Sequence, residues 1–139
     1  MIVVDTSAII AIIAAEPDAR DYAEVLADHQ PLMSVPTYLE CCIVVDTKKI
    51  PEAGRRLDRI LDVNGVDVVD TDKTKGDIAR QAFRDFGKGM GHPAQLNFGD
   101  CFSYALAIQR NLPLLWKGND FIHTGIRSAL IEFRNNRDA

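Results

Sequence analysis

The opening fifteen residues constrain the fold of this chain more than any other stretch. Ile2-Val3-Val4 is a short β-branched run, Asp5-Thr6-Ser7 breaks it, and residues 8–15 are an uninterrupted series of alanine and isoleucine. β-Branched residues favour a strand and the alanine-rich series a helix, so the sequence predicts strand, acidic turn, helix. Asp5 lies between two apolar elements, where an unpaired buried charge costs roughly several kcal/mol. It therefore needs a partner. Backbone amides are one, since Asp, Thr and Ser all cap helix N-termini. A metal ion shared with other acids is the other, and the rest of the chain decides between them.

The first helix is expected to stop near Glu16-Pro17, because proline disfavours a helical residue before it, and Asp18 is placed to cap a second helix over residues 19–28. Residues 31–35 form a candidate second strand, and Pro36-Thr37 opens a helix running to Val45. Pro51 interrupts; residues 52–62 resume a helix, with Ala53, Leu57, Ile60 and Leu61 at helical spacing, which Gly65 ends. Residues 66–69 read as a third strand, and Asp70-Thr71-Asp72 closes it and caps a helix over residues 73–86. The glycine-rich residues 87–93 are a loop, and Asn97-Phe98-Gly99-Asp100 begins a helix that Asn111 closes. Residues 113–116 give a fourth strand, Asn119-Asp120 starts a short turn or helix, and residues 128–131 read as an edge strand before a charged tail, 134–138. Alternating strands and helices predict an α/β fold, a parallel sheet with helices on both faces and its site at the carboxyl ends of the strands. With no repeat or linker, residues 1–139 read as one domain.

The totals exclude several classes. A hydrophobic content of 47% with 26% charged residues describes an ordered globular chain. The longest apolar stretch, residues 8–15, is too short to span a bilayer, and an acid precedes it where a signal peptide carries positive charge; the expected location is the cytoplasm. Cys41, Cys42 and Cys101 have no zinc-site spacing and no histidine with a claim on them, so they read as reduced core fillers. The net charge of −4 argues against holding nucleic acid by bulk electrostatics, although a cation bound by converging acids changes the local field. The basic residues Lys48, Lys49, Arg55, Arg56 and Arg59 read as a solvated helix face, as do Arg80, Arg84 and Lys88, which alternate with Asp77 and Asp85. His92 is the one histidine considered for substrate contact.

Four stretches carry an acid beside apolar sequence: residues 2–7 with Asp5, 34–40 with Glu40, 97–101 with Asp100, and 114–121 with Asp120. Glu40 lies among Leu39, Cys41, Cys42 and Ile43, and Asp100 between Phe98 and Phe102, so neither is expected to face open solvent. Poorly solvated carboxylates repel one another unless compensated, and their hard oxygens suit Mg2+ or Mn2+. Alternatives that need a second acid near the first strand fail, because Ser7 stands where an Asp-x-Asp phosphatase needs its second acid, and a receiver-type acidic pair is missing although Lys117 follows a strand.

In order and surroundings these stretches resemble the PIN-domain ribonucleases and, within them, the VapC toxins of bacterial toxin–antitoxin pairs. The resemblance spans nearly the whole chain, and its strongest parts are the strand ending in Asp-Thr-Ser, the Glu40 helix, the Gly-Asp-Cys helix start and the strand leading to Asn-Asp-Phe. Carried over by position, the family's acids fall on Asp5, Glu40 and Asp100. The family often shows threonine, an acid or asparagine, then Asp-Phe with one residue between, and Lys117-Gly118-Asn119-Asp120-Phe121 is tighter. Asn119 or Asp120 fills that fourth place, with Asp120 preferred.

The resemblance implies a three-layer α/β/α fold around a mostly parallel sheet and a Mg2+- or Mn2+-dependent endoribonuclease. Asp5 and Asp100 are expected to hold the metal directly, while Glu40 and Asp120 bind it through water or orient the nucleophile. Thr6 and Ser7 are expected to cap the helix or bond the Asp5 carboxylate or a phosphate, and Ser103, one turn after Asp100, to face the same pocket. A homodimer, higher toxin–antitoxin assemblies and a VapB-type antitoxin lying near the acids are implied as well. The competing reading is a non-catalytic PIN-like module whose acids recognise a basic peptide or protein.

Overall fold

The computed structural model describes residues 1–138. In chain order its elements are β1 (Ile2–Val4), α1 (Thr6–Ile13), α2 (Ala19–Asp28), β2 (Pro31–Ser34), α3 (Val35–Asp46), α4 (Pro51–Val63), β3 (Asp67–Val69), α5 (Lys73–Phe86), α6 (Phe98–Arg110), β4 (Leu114–Leu115) and α7 (Ala129–Asp138). The four strands form one sheet in the order β3-β2-β1-β4, every pair parallel. Register is set by Ile2 opposite Pro31, Val3 opposite Leu114 and Met33 opposite Val68.

Successive strand residues point to opposite faces, and here both faces are apolar. Ile2, Val4, Met33 and Leu115 enter one core with α1, α2, α3, α4 and the start of α7. Val3, Leu32 and Leu114 enter a second core with α5 and α6. The sheet is thus the middle of three layers, as expected; β1, β2 and β4 are buried throughout and carry a single polar residue, Ser34, while the edge strand β3 exposes Asp67. No helix among the described residues is long and apolar enough to cross a membrane.

Local sequence sets most boundaries. Ser34 caps α3 and Pro36 occupies its first turn; Asp72 caps α5 by accepting from the Lys75 amide at 3.0 Å. Asn111 ends α6 in the left-handed region with φ 52°, and Gly65 follows α4 with φ 61°. Two readings fail. Asp18 precedes α2 but its side chain makes no capping bond. Residues 128–131 are not an edge strand: Ser128 makes a single parallel bridge to Leu114, and Ala129 then begins α7. The charged tail is that same helix. Arg134 and Arg137 reach across to Asp21 and Glu24 on α2, at 2.6 and 3.1 Å, which gives the helix a docking face that its apolar residues alone do not.

The strand order places the site. Connections run from β1 outward to β2 and β3, and the chain then returns to add β4 on the other side of β1. In parallel sheets the crevice outside the carboxyl ends of the strands at such a reversal is where ligands bind. Asp5 directly follows β1, and the loop carrying Asp120 follows β4.

Candidate active site

Asp5 leaves the sheet at that reversal, its amide donating to the Leu115 carbonyl at 2.9 Å, and it is 3% exposed. Of the two partners expected for it, the helix cap is present on one oxygen, and a serine hydroxyl takes the other. Oδ2 caps α1, accepting from the Ser7 amide at 3.0 Å and the Ser7 hydroxyl at 2.7 Å. Oδ1 is turned the other way and accepts from Ser103 Oγ at 2.5 Å. Ser7 Oγ also accepts from the Lys117 amide at 2.9 Å, which fastens the loop after β4 to the Asp5 turn.

Asp100 is the third residue of α6. It forms a capping box with Asn97, its carboxylate accepting from the Asn97 amide at 3.0 Å while its own amide donates to Asn97 Oδ1 at 2.9 Å. That helix start fixes Asp100 on the buried face of α6, with Ser103 one turn on. Burial pushes its carboxyl up to about 7; the Asn97 bond opposes this, and the charges of Asp5, Asp120 and Glu40 add to it. The four acids are therefore electrostatic neighbours although they come from four separate parts of the chain.

Glu40, half-buried on α3, accepts from Thr6 Oγ1 at 2.5 Å. Its carboxyl group also lies against the backbone of α6: a Cβ built at Gly99 would overlap it. Glycine at the start of a helix costs stability, and here it lets α3 and α6 approach closely enough to bring Glu40 beside Asp100. Asp120 is exposed in the loop after β4, which Phe121, 2% exposed and packed on Trp116, anchors to the core. Among the described residues the Asn119 side chain makes no hydrogen bond, whereas the charge of Asp120 reaches Asp100.

The sequence singles out Ser103 but not the buried chain of hydroxyls that it ends. Ser34 Oγ meets Thr37 Oγ1 at 2.9 Å, Thr37 Oγ1 meets Ser103 Oγ at 3.3 Å, and Ser103 ends the chain on Asp5. The signal was the spacing: Thr37 precedes Glu40 by three residues and Ser103 follows Asp100 by three, so each hydroxyl shares a helix face with an acid. Gly99 was quoted only as part of a helix start; nothing in its own sequence marks the contact with Glu40. Other candidates go elsewhere. His92 Nδ1 accepts from the Ala94 amide within its own loop and its ring packs on Phe86. Cys41 and Cys101 are buried, and burial lifts their thiols to about 12 and about 11, which leaves them without nucleophilic thiolate at neutral pH.

No ion pair among the described residues neutralises Asp5, Glu40, Asp100 or Asp120. Lys117, which follows β4, is paired with Glu16 instead. Among the described residues no three His, Cys, Asp or Glu side chains stand together closely enough to hold a metal ion between them. Oxygen-only donors and uncompensated negative charge fit a hard cation that keeps several of its waters, as Mg2+ does, and do not fit zinc.

The family model of the PIN domain matches residues 2–126. The chain belongs to the PIN-domain family. Ribonuclease VapC28 of Mycobacterium tuberculosis is 52% identical over 129 residues, covering 92% of this chain and 97% of that protein. Ribonuclease VapC42 of the same species is 46% identical over 129 residues, covering 91% and 98%. Among solved structures, M. tuberculosis VapC20, described as a sarcin-ricin loop cleaving toxin, superposes with a TM-score of 0.68 at 18% identity over 91% of this chain and 96% of that one. A toxin–antitoxin complex from Klebsiella pneumoniae gives 0.64 at 18% identity over 87% and 90%. The expected family and fold class are thus both found, and as a PIN domain of VapC type the chain presents its acids at the sheet reversal.

Proposed function

We propose that residues 1–139 act as one PIN domain, a Mg2+- or Mn2+-dependent endoribonuclease and the toxin half of a toxin–antitoxin pair, working in the cytoplasm. The observation that carries this reading is that the charges of Asp5, Asp120 and Glu40, none of them neutralised by a basic partner, all act on the buried Asp100 beside the sheet reversal. The VapC ribonucleases, alike over nearly the full length of both chains, supply the reaction class. Asp5 and Asp100 would hold the cation directly, and Glu40 and Asp120 would bind it through water or orient the attacking water. When bound, a divalent cation offsets charge on the scissile phosphate and lowers the pKa of a water. The chain's own contribution is placement. Ser103 and Ser7 fix the two oxygens of Asp5, the Asn97 cap fixes Asp100, and Thr6 with the bare backbone of Gly99 fixes Glu40. Side chains locked by such neighbours need little rearrangement as negative charge develops on the phosphoryl oxygens.

A VapB-type antitoxin, an RNA substrate and a toxin homodimer within a larger assembly complete the reading. An antitoxin Arg or Lys laid among the carboxylates would neutralise them and displace the cation. The test uses protein purified free of antitoxin. It should cut RNA with Mg2+ or Mn2+ and stop with EDTA and in Asp5→Asn and Asp100→Asn. Equal cleavage by wild type and folded Asp100→Asn would mean a contaminating nuclease, and the acids would then belong to a binding module.

A further inference from the structure

A cleft lies between α5 and α6, beside the acids but apart from them. Gly76 and Ala79 are too small to fill the space between the helices, and Phe83, Phe98 and Phe102 wall a cavity of about 480 Å3. Phe98 is 77% exposed and Phe83 39%, a large display of aromatic surface for a chain whose other aromatic side chains are at least half covered. Phe98 and Phe102 stand edge to face with ring centroids 5.0 Å apart. Phe98 also borders a second hollow of about 420 Å3, shared with Leu39 and Glu40. It is therefore the wall between the cleft and the acids, two residues before Asp100.

Arg80 and Arg84 rim the cleft from α5. Their neighbouring acids are engaged elsewhere, Asp77 with Lys73 at 3.0 Å and Asp85 with Gln81 at 3.0 Å. Among the described residues neither arginine has an ion-pair or hydrogen-bond partner. Two free guanidinium groups one helical turn apart, with a phenylalanine between them and two more opposite, combine the features that grip a single-stranded nucleic acid: π-faces for a base and cations for the flanking phosphates. The chain needs such a grip. Its net charge is −4 and its acids repel a phosphodiester, so attraction must come from local cations.

We infer that the α5–α6 cleft is a nucleobase subsite, in which one unpaired base of the RNA beside the scissile phosphate stacks on Phe98 and Phe102 while Arg80 and Arg84 hold the adjoining phosphates. This rests on the ribonuclease reading and adds a requirement to it: the substrate must present an unstacked nucleotide next to the cut. An acidic protein segment would use the same phenylalanines and arginines but has no base to stack, so a preference for the base-bearing probe is what marks RNA as the occupant. Phe98, rather than the acids, then sets which strands are accepted.

The full-length protein, free of antitoxin, is tested in EDTA at low salt by fluorescence anisotropy. One probe is a single-stranded oligoadenylate of about 12 nucleotides, and the other is an abasic ribose-phosphate oligomer of equal length. Wild type should bind the base-bearing probe roughly ten-fold more tightly, the order that stacking one base supplies. Phe98→Ala should remove that preference and leave abasic binding unchanged, and Phe98→Trp should restore it. Arg80→Ala with Arg84→Ala should weaken both probes and flatten the salt dependence. With Mn2+, Phe98→Ala should raise KM for RNA more than it lowers kcat. Equal affinity of wild type for the two probes, no binding of either, or a Phe98→Ala protein that binds and cleaves as wild type overturns the subsite. So does a Phe98→Ala protein whose only change is its oligomeric state in light scattering, which would make the face a protein contact. Cleavage by wild type in the same Mn2+ reaction, lost in Asp100→Asn, keeps the ribonuclease reading standing in each of those cases; failure of that cleavage removes the reading itself, independently of the anisotropy result.

Discussion

Asp100→Asn should stabilise the metal-free protein. Asp100 is 9% exposed and carries no cationic partner, and its carboxyl is raised from the ordinary 3.8 to about 7 by burial and by the neighbouring acids. A group that ionises near 7 in the fold but near 3.8 in the unfolded chain opposes folding at pH 8 by about 4 kcal/mol before relaxation. Water around the exposed Asp120 and local relaxation reduce this to about 2 kcal/mol. The amide oxygen of the introduced asparagine keeps the acceptor for the Asn97 amide, so the helix cap survives. In EDTA at pH 8 the variant should therefore melt about 5–10 °C above wild type. The sign follows from linkage. The raised pKa means that the folded state holds the proton more tightly, so the penalty is complete above the folded value, shrinks as pH falls through 7, and is gone below 3.8. By pH 4.5 the gap should be about a quarter of its full size. Saturating Mn2+ should reverse the order, because ligand binding stabilises wild type by about 2.7 kcal/mol at a hundred-fold excess over Kd, and the variant has lost a ligand. Thermal unfolding followed by circular dichroism across pH, with EDTA and with Mn2+, reads all of this. A variant that melts at or below wild type in EDTA at pH 8 would refute the claim that Asp100 is held under uncompensated burial and repulsion.

Gly99→Ala should leave the fold near its original stability, since alanine favours the helix by about 0.5–1 kcal/mol, but its Cβ displaces the Glu40 carboxyl group, and RNA cleavage should fall at least about ten-fold; a wild-type rate would show that Glu40 needs no fixed place. Ser103→Ala leaves Asp5 Oδ1 without its buried donor, so the variant should lose about 1–2 kcal/mol in denaturant unfolding and cleave more slowly, an outcome that an unchanged midpoint and rate would contradict. Phe121→Ala should cost about 3–5 kcal/mol by emptying a buried aromatic site and should free the Asp120 loop, seen as lowered Tm with lost cleavage; retained Tm would mean that the loop is held elsewhere. Replacing the basic residue that the proposed antitoxin would lay among the acids should restore cleavage within the intact complex, whereas unchanged inhibition would exclude neutralisation as the inhibitory device.

Much of this protein was legible in the order of its residues because the information is local. The β-branched run before Asp5, the proline at the start of α3, Asn97 three residues before Asp100 and Asn111 at the end of α6 each act within one turn of chain, so caps, breaks and the strand–helix rhythm follow from neighbours alone. The same locality misled at residues 128–131, whose short polar-to-apolar pattern suits a strand. What makes them helical lies far away in sequence, the Asp21 and Glu24 carboxylates that receive Arg134 and Arg137. The capping role of Asp5 is readable from its neighbours, whereas only the fold brings its other oxygen to Ser103, ninety-eight residues on. The approach of Glu40 to Gly99, the hydroxyl chain through Thr37 and the reach of the Asp120 charge to Asp100 likewise belong to tertiary structure. The sequence by itself determined that acids would end at apolar elements; which acids meet was decided by the return of β4 to the far side of β1, because short-range preferences select elements while long-range packing selects their neighbours.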